Sequence, residues 1–222
     1  MSGTIYYPLT SPQLSIWYTE RMYSGTSISN VAGTLRIKDK VDIENLKKAI
    51  NLYIKNNDGV RLRICLDYNG NPQQYVADYE YKDIEVKDFS VFEDPVKAMQ
   101  EWDKKETIKP FELLDSELFR FIIIKLNDTD IGFYVITHHI ISDAWNMSLL
   151  GSSIVDYYCR LKKDPSDENL NDPMPSYTAF IENELKCSLK MKKRKYYMIL
   201  MIPMLIIQEK KPFINCSKNR SK

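Results

Sequence analysis

Histidine is almost missing from this 222-residue chain, which has two, and glycine is scarce at seven. No two glycines lie close enough to form a phosphate-cradling loop, and seven glycines with ten prolines exclude collagen-like and linker-rich classes. The four cysteines, Cys65, Cys159, Cys187 and Cys216, are dispersed without a CxxC pair. They indicate neither a zinc site nor a disulfide framework, and they fit a reducing, cytoplasmic setting. No apolar run reaches the roughly 18 residues needed to span a bilayer. The longest, Tyr196 to Ile207, contains Pro203, and the first 22 residues have neither the basic nor the apolar region of a signal peptide. A formal net charge of +1 gives no support to a nucleic-acid partner.

What is present is ordinary globular composition, 44% hydrophobic and 27% charged, in a chain long enough to bury a real core. The charge is unevenly spread. Residues 1–185 carry 20 basic and 29 acidic side chains, whereas the stretch from Lys186 onward carries eleven and one. Val31 to Ile37 has strand character, and Asp42 is placed to cap a helix with Ile43, Leu46, Ile50, Tyr53 and Ile54 on one face. Val60, Leu62, Ile64 and Leu66 alternate with Arg61, Arg63 and Cys65, the period of a half-buried strand, and Asn69-Gly70-Asn71 turns it into Gln73 to Ala77. Pro95 opens a helix running to about Lys105. Leu118 to Leu126 and Ile131 to Thr137, joined by a polar turn, read as paired central strands. Asp143 to Lys162 reads as a helix with basic residues at its C-terminal end, and Tyr177 to Leu185 as a short helical pattern.

The two histidines, His138 and His139, are adjacent and lie between the second central strand and the following helix, in THHIISDAW. A rigid strand end opening into a loop is where a reactive side chain can be both fixed and accessible. In a strand-like dipeptide the two rings point to opposite sides, so one faces the core and the other a cleft. Imidazole, with an ordinary pKa of about 6.5, can take a proton from an attacking amine or hydroxyl near neutral pH. Asp143 is placed to cap the helix or hold the loop. The competing reading is a histidine that only satisfies structure. A metal centre lacks further ligands, and a nucleophilic triad through Ser142 is weak.

HHIISDAW resembles the HHxxxDG signature of the condensation domains of nonribosomal peptide synthetases, members of the chloramphenicol acetyltransferase-like superfamily. Four other segments agree in order. LTSPQLSIWYTERM resembles the first condensation motif at Ser11, Gln13 and Trp17. NNDGVRLRI resembles the second at Arg61, with Asp58 and Ile64 substituted. IKPFELLDSELFRF matches the stretch before the signature at Pro110, Phe111, Leu113, Leu118 and Arg120, and PSYTAFIENE is similar to the fourth at Tyr177 and Phe180. The resemblance implies an α/β fold, a mixed β-sheet with packed helices, forming one lobe of a two-lobed architecture. It also implies peptide-bond-forming acyl transfer between thioesters carried on the 4'-phosphopantetheine arms of peptidyl carrier proteins, with no cofactor bound directly and no metal.

By the same resemblance His139 positions or deprotonates the acceptor amine, and His138 is structural. Asp143 would hold the loop through a salt bridge with Arg61, the alternative being a solvent-facing arginine and a simple cap. Arg61, Ala144 and Trp145 are the expected structural supports of the site. Ala144 replaces the signature glycine and Ala179 the acid of the fourth motif. Condensation domains have a second lobe and motifs five to seven that are not present here, so the expectation is an N-terminal lobe at residues 1–187. Residues 188–222 would be a basic, apolar, non-homologous tail, from a truncated or frameshifted gene or lying on an anionic membrane. The isolated chain is expected to be inactive without a complementing C-terminal lobe, with an adenylation domain as a further partner. A non-catalytic carrier-protein-binding remnant and a coenzyme A-dependent acyltransferase are the alternatives.

Overall fold

The centre of the molecule is a hairpin. Phe119–Asn127 (β6) and Asp130–His138 (β7) pair antiparallel around the turn at residues 127–130. Every residue of β7 is buried, and Phe121 to Ile124 of β6 are buried in an unbroken run. Strands covered on both faces read as continuous apolar sequence rather than as an alternation, and this pair does. The computed structural model describes residues 3–164 and 176–183.

Asn30–Ile37 (β2) pairs antiparallel with β7, and Glu85–Asp88 (β5) lies parallel to β6, giving a mixed four-stranded sheet in the order β2-β7-β6-β5. Ile43–Asn56 (α2) is capped by Asp42, whose carboxylate accepts from Asn45 N–H at 3.0 Å. It packs on one sheet face beside Ala144–Lys163 (α4), where Leu46, Ile50 and Tyr53 meet Phe121, Phe133, Ile154 and Tyr158. Pro95–Thr107 (α3), capped by Asp94, covers the other face with Met99 and Trp102 against Ile122, Ile124, Tyr134 and Ile136. The fold is the expected α/β arrangement.

A second, three-stranded sheet is formed by Tyr7–Pro8 (β1), Pro72–Val76 (β4) and Leu62–Leu66 (β3). Gly70, at φ 80°, supplies the left-handed residue of the β3–β4 turn. The half-buried reading of β3 is corrected here. Arg63 and Cys65 are buried along with Leu62 and Ile64, because the outer face is closed by Glu117 and the chain around Asp115. Ser11–Met22 (α1) had no counterpart in the sequence reading; it buries only Gln13 and Trp17. It lies over a small core of Leu9, Trp17, Leu62, Ile64, Leu118, Ile140 and Ile141.

The β2–β7 contact sets a sharp steric test. A Cβ at Gly132 would collide with the backbone of Leu35 and Arg36, while one at Gly33 would meet only the flexible end of Met147, at 3.3 Å. Gly132→Ala is expected to cost about 3 kcal/mol and Gly33→Ala less than about 1, measured by urea denaturation.

Candidate active site

β7 ends at His138, and the chain then makes a tight turn in which Ile141 N–H donates to the His138 carbonyl at 3.1 Å. The turn puts the two histidines in opposite environments. His138 is 2% exposed, packed edge-on against Phe111 with ring centroids 6.1 Å apart, whereas His139 is exposed. The main chain between them is anchored at both residues: His138 N–H donates to Leu118 O at 2.8 Å and His139 N–H to Ser29 O at 2.7 Å.

The hydrogen bonds fix the protons. His139 Nδ1 lies 2.6 Å from the Ser142 carbonyl oxygen, which can only accept, so Nδ1 carries the hydrogen and Nε2 of the neutral ring keeps its lone pair. That is the form able to accept a proton from a substrate. His138 is the mirror case. Its Nδ1 accepts from Ile140 N–H at 3.1 Å, so its proton sits on Nε2, 3.3 Å from Glu20 Oε1. Burial holds the His138 pKa below the usual value of 6.5; Glu20 pulls it up, but less strongly, and His139 adds to the lowering. The hydrogen-bond geometry and the direction of the shift agree on a neutral ring.

Ser142 does not act as a nucleophile partner in this arrangement. It meets His139 through its carbonyl, and its buried hydroxyl oxygen has no hydrogen-bond partner. Asp143 caps α4 by accepting from Asn146 N–H at 2.7 Å. Ala144 and Trp145 open that helix, and the roles expected of their side chains lie outside the described part of the structure.

The expected ion pair between Asp143 and Arg61 is not made. Arg61 donates to the carbonyls of Ile54 (3.1 Å), Ala77 (2.6 Å) and Lys55 (3.4 Å), so its guanidinium closes the C-terminal end of α2 onto the end of β4. Burial draws its pKa down, opposed by the nearby charges of Asp58 and Asp78. A helix end leaves carbonyls without intrahelical donors, and the planar fork of guanidinium N–H groups supplies them.

Gln13, met above only as a motif residue, and three residues that the sequence did not single out, Gln74, Glu20 and Ser29, complete the surroundings. Gln13 donates to Ile140 O at 3.1 Å and exchanges hydrogen bonds with Gln74 at 2.8 and 2.9 Å, while its oxygen also accepts from Thr10 N–H at 2.9 Å. Gln74, 0% exposed, is the inward residue of the Gln73-Gln74 pair in β4; the alternation of that strand was its only signal. Glu20 faces His138 from the last turn of α1. Ser29 contributes its carbonyl alone. The family-motif residues are also brought together. Arg120 lies over the Phe111 ring at 4.1 Å, and Asp58 accepts from Tyr177 N–H and Ser176 Oγ at 2.8 Å each, joining the second motif to residues 176–183. Among the described residues, no cluster of three or more His, Cys, Asp or Glu side chains is arranged to hold a metal ion, and no helix is long and apolar enough to cross a membrane.

The family model for the condensation domain matches this chain over residues 5–197. The chain belongs to the condensation-domain family. It is 41% identical over 160 residues to surfactin synthase subunit 1 of Bacillus subtilis (strain 168), an alignment covering 70% of this chain and 4% of that protein. Over 178 residues it is 30% identical to a plipastatin synthase of the same strain, covering 80% and 7%. The fold is that of the starter condensation domain of rhizomide synthetase, with a TM-score of 0.75 at 21% identity, covering 83% of this chain and 44% of that one. The first condensation domain of the CDA synthetase gives 0.68 at 20%, covering 72% and 42%. The chain thus spans a small part of the synthases it matches and less than half of the solved condensation domains.

Two measurements test this geometry. Because Asp143 and Arg61 share no partner, Arg61→Ala is expected to cost about 2 to 3 kcal/mol and Asp143→Asn, which keeps a capping oxygen, less than about 0.5. The double variant should equal their sum within about 0.5 kcal/mol in denaturant unfolding. The lowered His138 pKa means that the unfolded chain binds more protons than the native one below pH 6.5. Stability should therefore fall as pH drops from 6.5 toward the lower native value, by up to about 1.4 kcal/mol per pH unit from this group. His138→Gln should flatten that part of the stability profile relative to wild type.

Proposed function

We propose that the chain supplies the catalytic half of a condensation reaction, in which an acceptor amine on one carrier protein attacks the acyl thioester on another. The single observation that carries this reading is the exposed His139 ring, with Nδ1–H pinned by Ser142 O and Nε2 left as a proton acceptor. In the reaction the C–N bond forms and the C–S bond breaks. Nε2 takes the proton released by the attacking amine, and the departing phosphopantetheine thiolate takes up a proton in turn. Holding both reactants in line and excluding water requires walls on both sides of His139. The shares of 44% and 42% support the view that a complementary lobe provides the other wall.

The partners are then peptidyl carrier protein domains bearing 4'-phosphopantetheine arms, with an adenylation domain loading them, and the setting is cytoplasmic, in keeping with four dispersed cysteines that form no CxxC pair. Residues 1–187 form the lobe, and 188–222 a tail of different origin; the family match extends ten residues past that boundary. Ala144, Trp145 and Asp143 begin the helix that follows the turn, and Arg61 supports the lobe at a distance from His139. The test is to incubate the chain with loaded donor and acceptor carrier proteins, with and without the separately made second half of a condensation domain, and to detect the dipeptidyl thioester by mass spectrometry. Product is expected only with the added half, and His139→Ala should lower its rate by about 10² to 10⁴. Undiminished product from His139→Ala overturns the reading.

A further inference from the structure

We propose that Glu20 is a positioning residue of the acyl-transfer site: from α1 its buried carboxylate holds His138 in the Nε2–H form, and through His138 it fixes the turn that presents His139. The proposal rests on the reading of His139 as the proton acceptor.

Glu20 breaks two local rules at once. It sits in the last turn of α1, where the helix dipole disfavours a negative charge, and its side chain is only 11% exposed. A carboxylate taken out of water is costly unless it is well paired. Yet Oε1, completely buried, lacks an aligned hydrogen bond, and its near neighbour is the His138 ring nitrogen at 3.3 Å. Leucine at this helical position would satisfy packing without that cost. Local conflicts of this kind, without a local gain, gather at functional positions.

The gain lies one residue further along. A neutral imidazole has one proton and two nitrogens. With the proton on Nε2, drawn there by the carboxylate, Nδ1 is free to accept from Ile140 N–H at 3.1 Å. With the proton on Nδ1, that N–H would face another donor, and of the two hydrogen bonds the turn donates to His138 only Ile141 N–H to the carbonyl would remain. The same turn is held by Gln13 at the Ile140 carbonyl and by Ser29 at the His139 N–H. Gln13 and Glu20 are seven residues apart, two turns along one face of α1 with Trp17 between them. One helix therefore grips the turn at both its backbone and its buried ring. Besides Glu20, the groups facing His138 are the Phe111 ring edge and the neighbouring His139.

The chain has only two histidines, so nitrogen-15 histidine labelling gives two rings to assign. Long-range proton–nitrogen correlation spectra of the full chain at pH 7.5 report which nitrogen of each ring carries hydrogen. In the wild type His138 should show Nε2–H and His139 Nδ1–H. Glu20→Leu should erase the clear split between the two nitrogens at both rings, with Glu20→Met serving if leucine's branching prevents folding. Glu20→Gln, which keeps an acceptor oxygen, should restore the split. Folded Glu20→Leu or Glu20→Met with wild-type spectra at both rings overturns the proposal. So does a wild-type His138 that carries its proton on Nδ1, a result that needs no variant. None of these readouts requires turnover, so they stand apart from the His139→Ala assay that decides the function itself.

Discussion

The buried amide pair of Gln13 and Gln74 is the joint on which the arrangement of the site depends. A primary amide has two N–H groups and an oxygen to satisfy, and in an apolar surrounding each unmet group costs about 1 to 3 kcal/mol. Gln13 meets its needs from three directions: Thr10 at the start of α1, Gln74 on β4, and Ile140 in the turn after β7. Three elements far apart in sequence are thereby set in one register. A slip of β4 by one residue would turn Gln74 outward, taking its amide donor from the Pro8 carbonyl and breaking both hydrogen bonds it exchanges with Gln13. The small sheet and the large sheet are locked to each other at the point where the exposed His139 ring emerges.

Under the proposed function, the adjacent histidines divide two requirements that one side chain cannot meet. A ring that braces a turn must be buried and keep a constant protonation state; a ring that exchanges protons must reach substrate. Alternation along β7 brings His138 into the core, and the turn that begins there carries His139 out. The bracing ring is in turn packed by Phe111, which is covered by Arg120, so these motif residues ahead of the signature reach His138 through stacking.

Much of this was legible from the residues. The β6–β7 hairpin announced itself through length, apolarity and a polar turn, and α2, α3 and α4 through an acid or a proline at the start of a helical period. The histidine pair stood out because nothing else in the chain resembled it. What was missed follows from physics that local pattern does not hold. α1 buries a glutamine and a tryptophan and exposes Tyr18 and Met22, so its hydrophobic stripe is faint. β5 is a four-residue edge strand with three charged residues, suited to discouraging edge pairing and unlike a strand by composition. Arg61 was assigned a carboxylate by the family resemblance; the structure gives it three carbonyls, two of them left as acceptors by the end of α2. Glu20 carried no sign, because its place at the wrong end of a helix shows only once α1 itself is seen.

The separation of Gln13 from Ile140 by 127 positions has a consequence for how the chain is made. Synthesis proceeds at about 5 to 20 residues per second, so the first helix leaves the ribosome roughly 6 to 25 seconds before the carbonyl it is built to hold. During that interval Gln13, Glu20 and the indole of Trp17 are without their final surroundings, and an amphipathic stripe this weak gives the helix little reason to form alone. The nascent first helix waits as an open strap, and its last fastening coincides with the arrival of the histidine pair.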